Sequence, residues 1–214
     1  MSNGVKARAA PLPPGHYPWY VRLIFALQRR KYGRTLEPAL LWGRIPRAFL
    51  TLTLLYRSLD RADSPLDPVL RSLVQVRVSQ INWCAFCVDL NSAAALERHG
   101  APEKLAALQD HETSPLFSDR ERTALAYAEA ATDPARRVDE ALFARLKACF
   151  SEQEIVELTA LIAFQNMSSK FNSALGVPAQ GFCAIEVEAP RPESDRMELP
   201  SGKSHRDVPL VSRE

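Results

Sequence analysis

Apolar positions recur at three- and four-residue spacing from about Pro18 to Leu175, and no strand-length run alternates convincingly between turn signals. The pattern predicts an all-α protein, a multi-helix bundle of seven to nine helices. Pro18 to Tyr32 puts Val21, Ile24, Phe25 and Leu27 along one face, and Gly33 ends it. Leu36 to Trp42 is short. Pro46 to Arg61 carries a stripe through Phe49, Leu50, Thr53 and Leu54. From Asp67 to Gln80, Leu70, Leu73, Val74, Arg77 and Val78 follow the same spacing. Asn82 reads as the N-cap of a helix from Trp83 to Arg98, stopped by Gly100 and Pro102. Pro102 to Leu108 is short again. Ser118-x-x-Glu121 and Ser151-x-x-Glu154 are capping boxes, opening helices to about Thr132 and Leu175, with Asp139 to Phe150 between them.

The ends differ from this body. Residues 1–17 contain Pro11, Pro13, Pro14 and Gly15 and read as a mobile or extended arm. From about Glu188 the chain is polar, with Pro190, Pro192 and Pro200, and residues 188–214 read as a flexible tail. Residues 18–187 are left as a single helical domain. A net charge of +2 gives no argument for nucleic acid or an anionic membrane. Tyr20 to Leu27 is too short for a membrane span and is broken by Arg22, and no small-residue cleavage site follows. Four cysteines are too few for a disulfide scaffold in a chain of 214 residues and fit a reducing, cytoplasmic setting.

The chemistry concentrates in Cys84-Ala85-Phe86-Cys87, at the start of the Trp83 helix. Two cysteines three apart share a helix face and can close a short disulfide. The first turn's free N–H groups and the helix dipole favour a thiolate, which is the nucleophile and the redox-active form. The pair reads as a redox dithiol, as half of a metal site, or as buried structural thiols. A structural zinc needs four ligands, and Cys149 and Cys183 do not supply a second Cys-x-x-Cys.

The flanks narrow the choice. Arg77-Val78-Ser79-Gln80-Ile81-Asn82-x-Cys84-x-x-Cys87-x-Asp89-Leu90 resembles the core motif of the alkylhydroperoxidase D / carboxymuconolactone decarboxylase family. Phe150 to Thr159 and Phe171-Asn172-x-Ala174-Leu175 resemble its last core helix, so the similarity covers about residues 40–183. The resemblance implies a helical bundle and a homo-oligomer, commonly a trimer or hexamer and otherwise a dimer. It implies a thiol-dependent peroxidase or disulfide reductase that needs no metal or organic cofactor and is recharged by an external thiol or dithiol. Cys87 would attack the hydroperoxide and Cys84 would resolve it. Where the family's peroxidases place a histidine and a glutamate of a proton relay, this chain has Asn91 and Ser72. Each can hydrogen-bond, and neither serves as a general base.

Other candidates for a base are Glu157, Asp89, Glu97, His99, His111 and Tyr127. Asp89 is expected to face away from Cys87. Glu97, His99 and His111 are expected on the solvated surface, and Tyr127 in packing. Arg77 is expected in a structural ion pair, Cys149 in the core, and Cys183 is a possible third redox partner. Two rival functions remain. One is a decarboxylase-type enzyme acting on a lactone, which the intact dithiol counts against. The other is a non-catalytic redox sensor or oligomeric scaffold, which the loss of both relay positions favours.

Overall fold

The computed structural model describes residues 6–185. Among them are nine α-helices and no strand. They are α1 (Trp19–Tyr32), α2 (Glu37–Trp42), α3 (Pro46–Leu59), α4 (Pro68–Ile81), α5 (Ala85–Glu97), α6 (Pro102–Ala106), α7 (Asp119–Ala130), α8 (Glu140–Cys149) and α9 (Glu152–Ala174). Two short 3-10 turns, at Pro14–His16 and Leu108–Asp110, complete the regular structure. The expected polar tail, and the first five residues of the arm, lie outside the described residues.

Local chemistry sets most of the helix ends. The Asp67 carboxylate accepts the Leu70 N–H and Pro68 opens α4. Asp139 caps α8 in the same way. Ser118 and Ser151 form complete capping boxes with Glu121 and Glu154. Each cap satisfies N–H groups that the helix itself leaves free, a contribution of typically ~1 kcal/mol.

Packing is arranged around α4, which is buried nearly all round, polar residues included. Leu70, Leu73, Val74, Val76 and Val78 are all buried, in one core with Leu125 and Ala128 of α7 and Leu158 and Ile162 of α9. α5 folds back against α4, and α9 and α7 cover other sides. Tyr17, Val21, Phe25, Ala39 and Phe49 make a second cluster. Trp19, Leu23 and Leu27 of α1 and Leu50, Leu54 and Leu55 of α3 are exposed, Trp19 by 75%.

Residues 6–17 run along the helical body. Arg8 donates its backbone N–H to the Leu175 carbonyl at 2.7 Å. The buried Tyr17 hydroxyl accepts the Leu12 N–H at 2.7 Å and donates to the Leu40 carbonyl at 3.0 Å. The prolines point to an extended arm, but they do not encode these anchors.

Candidate active site

The site begins at the bend between α4 and α5. Cys84 donates its N–H to Ser79 O and Trp83 to Gln80 O, which together close the last turn of α4. This closure places Trp83 at φ 56°, the left-handed region where glycine is usual. A bulky residue there costs on the order of 1–3 kcal/mol. Asn82 is the C-cap of α4 and not, as its type and position predicted, the N-cap of the next helix. Its side-chain amide instead donates to Asn166 Oδ1 and Ser169 Oγ of α9, both at 2.9 Å. The N-cap of α5 is Cys84 itself, whose Sγ accepts the Cys87 N–H at 3.2 Å. The helix therefore starts at Ala85, two residues later than expected, and a thiol occupies the place of a capping hydroxyl.

Both thiols are free and buried, Cys84 at 1% and Cys87 at 3% exposure. Their acidities are pushed in opposite directions. Hydrogen bonding from the Cys87 thiol, helped by N–H groups of the first turn, pulls Cys84 below the ordinary thiol range. Burial, reinforced by the neighbouring Cys84, pushes Cys87 well above it. Of the two, Cys84 is the more acidic thiol and Cys87 the one that holds its hydrogen more tightly.

The groups hydrogen-bonded around the thiols are neutral. Asn172 of α9 donates its Nδ2–H to Cys87 Sγ at 3.2 Å. Its Oδ1 is buried without a partner, and Asn172 is 1% exposed. An unmet buried acceptor costs about 1–3 kcal/mol. Gln165 hydrogen-bonds towards Cys87 and donates to Ser79 Oγ at 2.9 Å. Ser79 in turn donates to the Gln75 carbonyl at 2.6 Å.

Of the residues singled out from sequence, Asn91 joins this network. It donates to Ser79 Oγ at 3.4 Å. Ser72 does not join it. It lies two turns further along α4 from Ser79, roughly 10 Å away at 1.5 Å per residue. There it donates to the Pro68 carbonyl at 3.2 Å and accepts from Arg98 at 3.0 Å. The spacing that matched a relay position leads, in this fold, to an arginine instead of the thiols.

Asp89 faces away from the thiols, as its position on the helix predicted. It is buried, and its carboxylate accepts four backbone N–H groups, from Gln180, Gly181, Phe182 and Cys183, each at 2.8 Å. Cys183 is thereby held beside α5. Glu157 is paired with Arg61 and accepts from Ser64, which holds its carboxyl down at about 2, far from a useful base. Tyr127 bonds Thr159 in the core, and Arg77 pairs with Glu129. Cys149 packs against the main core. Glu97 and His99 are exposed as expected.

His111 is the correction in this group. It is 1% exposed instead of solvated, because Leu108 and Phe117 on either side of its turn are core residues. Its Nδ1 lies 3.2 Å from the Leu108 carbonyl and 3.8 Å from Glu129. Among the described residues, His111, Glu112 and Glu129 come together as metal-capable groups. Arg77 and Arg136 already occupy the Glu129 carboxylate, so the set suits an ion-pair hub better than a cation.

Apolar side chains close over the dithiol. Leu41, Phe86 and Val177 pack with the two cysteines, and Ala7, Ala9, Leu36, Phe171 and Phe182 lie against them. The cover is therefore assembled from the N-terminal segment, α2 and the segment after α9. It is tied down by Asp89, by the Gln180 side chain on the Glu37 N–H and by Arg34 on the Gln180 carbonyl.

The carboxymuconolactone decarboxylase family model matches residues 47–130, which include the dithiol and Asn91. The uncharacterised protein YnjA of Escherichia coli K12 is 50% identical over 175 residues, 81% of this chain and 96% of its own. A peroxidase-related protein of Ralstonia eutropha with an alkylhydroperoxidase D core superposes with a TM-score of 0.74 at 20% identity, covering 83% of this chain and 95% of that one. An Agrobacterium tumefaciens protein of unknown function, ascribed to antioxidant defence, is 27% identical with a TM-score of 0.59, covering 63% and 91%. In sequence and in fold, the chain belongs to the alkylhydroperoxidase D / carboxymuconolactone decarboxylase family.

Proposed function

We propose that this protein is a thiol-dependent peroxidase, reducing organic hydroperoxides, or disulfides by the same exchange, through Cys84 and Cys87. The observation that carries this is the Cys84–Cys87 pair. One thiol caps a helix, the other points its hydrogen at it, and both lie in an apolar cluster beside neutral hydrogen-bond groups. Low surrounding polarity strengthens each of those hydrogen bonds.

The same pair supplies an answer to the missing relay. Cys84 is the more acidic of the two, and as a thiolate it can take the Cys87 proton as Cys87 attacks. A Cys87 S–O bond forms and the peroxide O–O bond breaks, giving Cys87 sulfenic acid and an alkoxide that solvent protonates. Cys84 then attacks the sulfenic sulfur, its proton leaves with the hydroxyl as water, and the disulfide closes. Two thiols and one hydroperoxide yield a disulfide, an alcohol and water. An external thiol or dithiol returns the two electrons by exchange. Asn91 acts through Ser79 as a positioning group, and Ser72 is left outside the chemistry.

The exposed apolar faces of α1 and α3 support a homo-oligomer, and four free cysteines support a reducing, cytoplasmic setting. No helix among the described residues is long and apolar enough to cross a membrane. A redox sensor is the second reading. The closed cover over the dithiol favours it, because oxidation there would push on the N-terminal segment and α2.

The test is consumption of cumene hydroperoxide under excess dithiol, beside Cys84→Ser, Cys87→Ser and the double variant. Turnover lost in Cys87→Ser, with a dimedone-trappable sulfenic acid on Cys87 in Cys84→Ser, is the expected result. Wild-type consumption no faster than the double-serine background removes the peroxidase. A change of assembly on oxidation would then favour the sensor.

A further inference from the structure

The neutral ring around the thiols has one loose end. Asn172 uses its Nδ2–H on Cys87 Sγ, while its Oδ1, on the same planar amide, has no partner and no water-accessible surface. Two turns earlier on α9 there is no such gap, because Gln165 uses both of its polar atoms, on Ser79 and Gln75. Buried acceptors without donors are uncommon in native proteins and call for an explanation. Here the unmet acceptor sits within one side chain's width of the sulfur that the peroxidase reading makes reactive.

We propose that Asn172 is a catalytic residue that binds the hydroperoxide, its Oδ1 accepting the peroxide O–H while its Nδ2–H holds the Cys87 sulfur. The inference rests on the peroxidase reading and adds to it a selection rule for the substrate. A hydroperoxide carries its one donor on the oxygen that the sulfur must attack, so accepting that hydrogen places the terminal oxygen beside Cys87. The amide then touches both reacting partners, and no proton has to pass through it. The side chains packed with the thiols, Leu41, Phe86, Phe171 and Val177, are apolar and suit the organic end of an alkyl hydroperoxide better than a second polar group. In the balanced reaction given above, Asn172 donates and accepts hydrogen bonds and is itself unchanged.

An oxidant without an O–H cannot use Oδ1, and this gives the test. Oxidation of the reduced full-length protein is followed by loss of free thiol, with cumene hydroperoxide and with methyl methanethiosulfonate, an S–S electrophile that lacks a donor. Losing the amide's hold on Cys87 affects both reagents alike, so the readout is the ratio of their rate constants. Asn172→Ala is expected to lower the hydroperoxide-to-thiosulfonate ratio at least tenfold, and Asn172→Ser, which keeps a small acceptor, by less. An unchanged ratio in both variants overturns the proposal and leaves Asn172 as a group acting on the thiol alone. Should Asn172→Ala fail to fold, the Asn172→Ser ratio decides by itself. Failure of the underlying reading is seen separately, in a wild type that reacts with the thiosulfonate and not with the hydroperoxide.

Discussion

The two ends of the α4–α5 pair are built on opposite electrostatic plans. At the bend, the side chains hydrogen-bonded to the thiols and behind them are neutral asparagine, glutamine and serine. Two turns away, Asp60 bridges Arg71 at 3.0 Å and Arg98 at 2.5 Å, with Ser72 bonded to Arg98. Fixed charges lock the helices together at the end remote from the chemistry. Dipoles surround the end that holds the two thiols. A neutral shell can stabilise either thiolate in turn, whereas a fixed arginine would trap the first one.

Removing the charged lock is the strongest way to break this contrast. Asp60→Ala leaves Arg71, nearly fully buried, without its carboxylate. Breaking a buried pair from one side typically costs about 3–5 kcal/mol. Urea unfolding should show a loss of that size. Thiol alkylation in the variant, measured below its unfolding transition, should keep the wild-type pH profile. A shifted thiol profile would mean that the two ends are electrostatically coupled, contrary to this division.

The Asp89 clamp is next in size. Four backbone donors converge on one carboxylate, and Asn can accept on one oxygen only. Hydrogen bonds to a charged group are worth about 1.5–3 kcal/mol, so the segment after α9 should open more often in Asp89→Asn by a factor on the order of 10–100. Iodoacetamide labelling of Cys84 and Cys87 should accelerate by that factor, with global stability much less affected. Unchanged labelling would show that the thiols are reached by another route, through α2 or the N-terminal segment.

Sequence carried the helices and the dithiol well, for a physical reason. Caps such as Asp67, Ser118 and Ser151 act over three residues, and Cys84 and Cys87 are neighbours on one turn. The rest of the site depends on contacts between distant segments. Asn172 lies 85 positions from Cys87, and helical spacing does not register which side chain of α9 meets which thiol. Its appearance in a family-like stretch was the available signal. Ser72 shows the converse error. A match in spacing along α4 said nothing about the antiparallel return of α5, which brings Arg98 to it. His111 was misread because it follows Asp110 in a polar stretch, while Leu108 and Phe117 draw the turn into the core.

His111 also gives the contrast a pH dependence. Burial lowers its affinity for protons below that of an ordinary histidine, and Glu129 only partly offsets this. In the unfolded chain it titrates near its usual value of roughly 6.5. Between that value and the lower folded one, the unfolded state binds more protons, so stability falls as the pH is lowered through this window and is complete above it. The depressed carboxyls, such as Glu157 at about 2, are titrated at lower pH, below the usual glutamate value. Thermal unfolding should therefore shift down between pH 7.5 and 5.5 in the wild type and shift less in His111→Gln. An equal shift in both proteins would assign the effect to other groups.

The smallest expected effect is also the sharpest check on the site's boundary. Ser72→Ala removes one acceptor from Arg98, which keeps Asp60 and the Pro68 carbonyl, and deletes a hydroxyl that otherwise only bonds back within its own helix. The loss should be at most about 1 kcal/mol, the range of a single hydrogen bond with alternatives at hand. In hydroperoxide turnover, kcat/KM should stay within a factor of two of the wild type. Ser72→Glu should not supply a base either, since its carboxylate would meet Arg98 and be held ionised by it. Asn91→His, in contrast, puts an imidazole one turn after Cys87 and in contact with Ser79, where a base can serve the thiol. A tenfold fall in turnover for Ser72→Ala, with stability intact, would extend the reactive network two turns along α4 and join the two ends that the charges now separate.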